Sequence, residues 1–424
     1  MCLARAVVLV VFLVLSSGRS FAYSVLTHEE IVDLLWTAEI RPLLQQRFPG
    51  LTDDQIKQAH AYAYGGSVIQ DLGYYPFGSK RFSDLVHYVR TGDFVQELIK
   101  ESKDANEYAF ALGAMAHFIS DVDGHPAVNE AVAMRYPKLR AKFGPRVTYA
   151  QDRGAHLKTE FGFDTAQVAK NRYAPEQYHD FIGFEVSSGL LERVFPVVYG
   201  MDLKDALPHQ DVAIGSYRFA ISRLIPNMTK VALQMHKKQI MSESPTFAKK
   251  KFLYRLSRAD YEKSWGNKYE RAGFGTRFLA AVLSIIPKIG PFKALAFVDP
   301  TPKTEELYIK SINKTFEDFH ALLETAKTHP PTLANDDLDS GAPTKAAEYS
   351  LADDAYAKLV TQLADKNFTQ TSPELRDDIL HFYSNWSAPI KTTKNEAKWQ
   401  KVSTALAQLK AMTPAPTVAS TSAQ

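Results

Sequence analysis

The stretch ANEYAFALGAMAHFISDVDGHP, residues 105–126, decides how the chain is read. Ala109, Leu112, Ala116 and Ile119 recur at helical spacing, so residues 105–121 predict a long, alanine-rich helix. His117 and Asp121 stand four apart and therefore project from one face, about 6 Å apart at Cβ. One metal ion can take both. Gly124 and Pro126 predict the end of the helix and a re-aimed His125.

The same helical grammar extends in both directions. Thr27-x-x-Glu30 reads as a capping box ahead of Ile31, Leu34 and Leu35, and Thr52-x-x-Gln55 as another ahead of Ile56, Ala59 and Ala63. Thr148-x-x-Gln151 predicts a third helix start, and residues 211–240 a further long helix. Alternating strand-like runs are scarce. The predicted fold is all-α: a multi-helix bundle with additional C-terminal helices.

Composition narrows the classes. The chain has 424 residues, 45% of them hydrophobic, which is too apolar for disorder. Its 50 Lys+Arg nearly balance 47 Asp+Glu, which excludes the overall basicity of a non-specific nucleic-acid binder. Residues 1–22 read as a signal peptide: Arg5, the apolar run Ala6 to Leu15, and small residues at Ser20 and Ala22. Cleavage before Tyr23 is expected, giving a secreted or periplasmic chain. It removes Cys2, the single cysteine, so no disulfide is expected and the core or bound metals must hold the fold.

Residues 23–240 carry the candidate motifs. Residues 241–327 form a basic and apolar helical extension, 328–347 a linker rich in Pro, Asn, Asp and Gly, 348–411 a C-terminal helical segment, and 412–424 a disordered tail. Within the extension, residues 248–297 set basic and aromatic side chains beside an apolar run. A packed helix pair with a solvated face explains that pattern; peripheral membrane contact is the alternative.

Six of the twelve histidines precede residue 160. His156 and Glu160 repeat the four-residue spacing of His117 and Asp121. Asp71 lies on a turn flanked by Gly65, Gly66 and Gly73, and His87 on a short amphipathic segment with Leu85, Val86 and Val89. A single His-x-x-x-Asp/Glu match carries little weight. His320 and Glu324 make a third such pair, remote from the others in the chain, and read as a surface pair.

Taken together, Tyr23-x4-His28, the Asp71 turn, His87, His117-x3-Asp121, His125 and His156-x3-Glu160 resemble the zinc-dependent phospholipase C family. They are similar, too, to the related trinuclear zinc nucleases specific for single strands. The resemblance implies a helical bundle holding about three zinc ions, one bound through the amine and carbonyl of a free N-terminal residue. It assigns Asp71, His87, His117 and Asp121 to one ion. Asp121 would bridge to a second ion, bound also by Tyr23 and His28, and His125, His156 and Glu160 would hold the third. Two positions depart from the family's best-known members. Tyr23 replaces a tryptophan, and His125 follows Asp121 by four residues instead of six, which leaves Asp123 as an alternative ligand.

Clustered zinc suits phosphate-ester hydrolysis, because cations offset the anionic charge that repels hydroxide. The expected reaction is phospholipase C cleavage of phospholipids by a metal-bridging water, with Asp71 orienting or deprotonating it. A single-strand nuclease on the same site is one alternative, and a non-catalytic zinc-stabilised binding protein is another. The sequence leaves the oligomeric state open.

Overall fold

The computed structural model describes residues 25–75, 77–169, 183–221, 299–385 and 396–412. The expected leader, Tyr23, the extension through residue 298 and the tail from 413 lie outside the described residues, as does the expected helix beyond 221.

The fold is all-α. In chain order the first helices are α1 (Val25–Leu35), α2 (Arg41–Arg47), α3 (Asp53–Ser67), α4 (Lys80–Tyr88), α5 (Thr91–Glu101), α6 (Ala105–Arg135), α7 (Pro137–Phe143) and α8 (Arg153–Ala169). After them come α9 (Ser188–Tyr199), α10 (Leu203–Ala206), α11 (Gln210–Phe219) and α12 (Pro302–Ala326). The two-residue strands β1 (Asp336–Asp337) and β2 (Ala342–Pro343) precede α13 (Ser350–Asp365), α14 (Pro373–Phe382) and α15 (Glu396–Ala411). No described helix is long and apolar enough to cross a membrane.

The central element is α6, whose Ala109, Leu112, Ala114 and Ala116 are fully buried. It packs most closely on α3, and two glycines set that distance. A Cβ on Gly66 would fall 1.9 Å from the Phe110 carbonyl oxygen, and one on Gly113 would fall 2.0 Å from that of Ala63. Any side chain there would push the helices apart. On its other sides α6 meets α1, α8 and α12. Tyr308 of α12 stacks on Phe163 of α8 with ring centroids 4.5 Å apart.

Of four local expectations the structure meets one and departs from three. Thr52 caps α3 as a reciprocal box with Gln55. Thr27 does not cap: it lies inside α1, and its hydroxyl donates to Asp164 at 2.5 Å. Gln151 bonds back to the Thr148 amide at 3.0 Å, but α8 starts only at Arg153, where Asp152 accepts from the Ala155 amide at 2.8 Å. The long helix does not stop at Gly124 but runs through Pro126 to Arg135. Proline removes one amide from the ladder there, while buried Val128, Ala131 and Val132 beyond it hold the helix in place.

The stretch 328–347, read as a linker from its turn-forming residues, contains a small hairpin. Asp336 pairs with Pro343 and Asp337 with Ala342. Leu338 and Asp339 at its tip are buried. The turn chemistry makes a tight reversal pressed into the bundle, not an exposed connection.

Candidate metal centre

Five segments converge on one buried space. α6 contributes His117, Asp121 and His125, each fully buried. Because the helix continues past Pro126, these three lie four apart along a single stripe, and His125 is not re-aimed. α1 contributes His28, α4 contributes His87, and α8 contributes His156 and Glu160. Asp71 sits on a 3-10 turn, Ile69–Tyr74.

Ligand atoms within 4.8 Å of one another define three fully buried groups able to hold a metal: His28, His117 and Asp121; Asp71, His87 and His117; His125, His156 and Glu160. The two oxygens of Asp121 face different neighbours. Oδ1 lies 3.6 Å from His28 Nε2, whereas Oδ2 lies 3.1 Å from His117 Nε2 and 3.7 Å from His87 Nε2. Asp71 Oδ1 is 3.4 Å from His87 Nε2. In the third group, Glu160 Oε1 stands 2.7 Å from His156 Nε2 and 3.6 Å from His125 Nε2.

Backbone carbonyls aim the imidazoles. His87 Nδ1 donates to Ser83 O at 2.9 Å, His117 Nδ1 to Ser67 O at 2.9 Å, and His125 Nδ1 to Leu338 O. A carbonyl can only accept, so the proton is fixed on Nδ1 and the Nε2 lone pair points inward. The Gly66–Gly113 approach is what brings Ser67 within reach of His117.

The ligand atoms face one another but form no well-directed hydrogen bond. Both oxygens of Asp71, Asp121 and Glu160, Nε2 of His87 and His117, and both ring nitrogens of His156 have no hydrogen-bond partner among the described residues. Leaving one such buried atom unpaired costs about 1–3 kcal/mol, and more if charged. A cluster of them is therefore a cavity built for cations, and the donor set of imidazole and carboxylate fits zinc.

Burial pulls the His87 and His125 imidazoles down, but without bound cations the carboxylates outweigh it and push both up, whereas Asp121 and His28 already match the fit. Burial pushes the Asp121 carboxyl up, but the imidazoles of His117, His125 and His28 outweigh it and hold it well below the ordinary range. Burial, with His117 beside it, holds His28 well below the usual imidazole value and so keeps it neutral. Both are the protonation states that metal binding requires.

Asp123, His60 and the His320–Glu324 pair do not join the buried groups. Asp123 forms an ion pair with Lys314 of α12 and does not join the third group. His60 stays apart, stacked on Trp36 at 3.7 Å and bonded to Asp33 at 2.9 Å. His320 and Glu324 are joined by Glu39, but Lys327 already supplies a cation there, 2.9 Å from Glu39.

Several surrounding residues were not foreseen. Asp164, one helical repeat beyond Glu160, accepts from the Leu26 amide at 3.0 Å and from Thr27, tying α1 to the helix that bears His156. The rings of Tyr74 and Tyr149 border the cluster, 5.6 Å from His87 and 5.8 Å from His156. The Asp164 contact had a sequence signal, the continued four-residue period after His156 and Glu160; the tyrosines had none.

Residues 27–206 match the family model described as zinc dependent phospholipase C. The matched segment, less than half of the chain, is similar to that family. No curated protein and no solved structure matches the chain. The matched range contains every residue of the three buried ligand groups, so the segment similar to a zinc-dependent family is also the one that carries buried donors able to hold a metal.

Proposed function

We propose that this protein is a phospholipase C-type hydrolase that cleaves the phosphate ester of phospholipids at a centre of three zinc ions. Asp71, His87, His117 and Asp121 would hold the first ion. His28 and Asp121, with the amine and carbonyl of Tyr23, would hold the second. His125, His156 and Glu160 would hold the third. The observation that carries this reading is the convergence of these side chains, with unsatisfied ligand atoms, from five separate segments. Bound zinc supplies positive charge against the anionic ester and brings the pKa of water to about 7.

The protein's own residues do the rest. Asp121 presents one oxygen to each of two groups and fixes their separation. Asp71 has two oxygens, one to bind and one to orient and deprotonate the attacking water. His125, His156 and Glu160 provide three donors, which leaves an open position for substrate oxygen; closed structural zinc sites use four. The leaving diacylglycerol oxygen would depart on that side. The Tyr23 assignment needs a free amine, so the reading includes export and cleavage before Tyr23. Peripheral contact with the lipid surface through residues 248–297 belongs to the same proposal.

Metal analysis of the processed protein, run beside assays on phosphatidylcholine vesicles and single-stranded DNA, tests this function. Three zinc ions per chain with lipid turnover are expected. Turnover of DNA alone would reassign the substrate to nucleic acid. One ion or none would overturn the site.

A further inference from the structure

The hairpin at residues 335–344 lies well beyond the family-matched segment, yet it is bonded to two of the ligand-bearing helices. The Leu338 amide donates to His87 O at 3.1 Å, and the Leu338 carbonyl accepts from His125 Nδ1. One residue thus links the backbone of α4 to the imidazole of His125. For His87 and His117 the Nδ1 acceptor comes from within the matched segment; for His125 it comes from this hairpin.

The hairpin is built to stay there. Asp337 accepts from the Asp339 amide at 3.0 Å and the Ser340 hydroxyl at 2.8 Å, closing the tip. The Asp339 carbonyl accepts from Asn129 Nδ2 at 2.9 Å, and its carboxylate accepts from the hydroxyls of Tyr88, at 2.8 Å, and Tyr349. At the base, the Thr91 hydroxyl donates to Asp336 O at 2.7 Å and the Asp93 amide to Asn335 Oδ1 at 3.0 Å. Gly341, at φ +66°, presses on α6 between Asp121 and His125: a Cβ there would sit 2.2 Å from Val122 O. That carbonyl is the one Pro126 cannot bond.

We propose that this hairpin is a positioning element of the metal centre, with the Leu338 carbonyl selecting the tautomer of His125 that carries its proton on Nδ1 and its lone pair on Nε2. Family-type ligands are then completed by a part of the chain outside the family segment. The inference rests on the metal reading, and one experiment separates the two.

Hydrogen exchange of the full processed chain, compared in excess zinc and in chelator, is expected to show zinc slowing both residues 117–125 and residues 335–344. Slowing confined to 117–125 would overturn the hairpin's role and leave the metal reading standing. No slowing in either would overturn the metal reading and this inference with it. A variant checks the direction. Gly341→Val, which cannot seat the turn, is expected to keep the helical circular dichroism of the parent. Its zinc affinity in chelator competition should fall about tenfold or more. An unchanged competition curve would also overturn the role.

Discussion

Asp71 reaches the metal cluster from a 3-10 turn, with neither carboxylate oxygen in a hydrogen bond among the described residues. Asparagine there keeps the shape and one oxygen donor but cannot accept a proton from water. Asp71→Asn is therefore expected to lower kcat about 10²- to 10⁴-fold with zinc content unchanged, read by vesicle hydrolysis beside metal analysis. Unchanged turnover would remove Asp71 from the chemistry. The residue-level site was largely legible, since a helix repeats its face every four residues and a metal needs donors on one face. The pairs His117–Asp121 and His156–Glu160 follow from that alone. His125 was misjudged because glycine and proline weaken helices locally, while packing of the residues beyond Pro126 outweighs that weakness. Leu338 could not be found by any motif, because its contribution is a backbone carbonyl.

Among elements, the α3–α6 contact controls the geometry of the centre. Gly113 meets the Ala63 carbonyl so closely that even a methyl group must move backbone. Gly113→Ala is expected to destabilise the fold by about 1–3 kcal/mol in urea unfolding. Because Ser67 O would withdraw from His117, it should weaken zinc binding as well. A variant of parental stability would show that the helices have slack at this seam. Helix existence was readable from periodicity, but two of three capping boxes were not. Thr27 is drawn off by Asp164, a partner 137 residues distant that no local pattern reveals. Thr148 is displaced by Asp152, the better-placed acceptor four residues on.

For the whole molecule, stability should depend on metal and on pH through separate groups. Stripping zinc leaves several buried carboxylates and imidazoles without partners. Chelator is therefore expected to lower Tm markedly, and zinc added back should restore it in proportion to the logarithm of its free concentration. A Tm indifferent to chelator would speak against a load of buried metal. Outside the ligand groups, burial pushes the Asp378 carboxyl up to about 6, while the Tyr356 hydroxyl donates to it at 2.9 Å. Its unfolded value is near 4, so the folded state holds the proton more tightly. Stability should thus decline as pH rises from about 4 to 6 and stay reduced above, by on the order of 2 kcal/mol. Asp378→Asn should abolish that decline, as measured by urea midpoints across the range; a parallel pH profile would exclude this carboxyl as its source. The C-terminal half was the least legible part of the chain. α12 and the hairpin act through contacts with α6, α4 and α8 across long sequence separations, which periodicity does not encode. The unbroken course of α6 sets a further constraint. With about 100° and 1.5 Å per residue, His117 to His125 is a graduated rod some 12 Å long. One extra residue inserted after Phe118 would swing everything downstream a quarter-turn out of the pocket. Side-chain exchanges can tune this protein, whereas changes in the length of that rod would yield a folded chain with its ligands facing elsewhere.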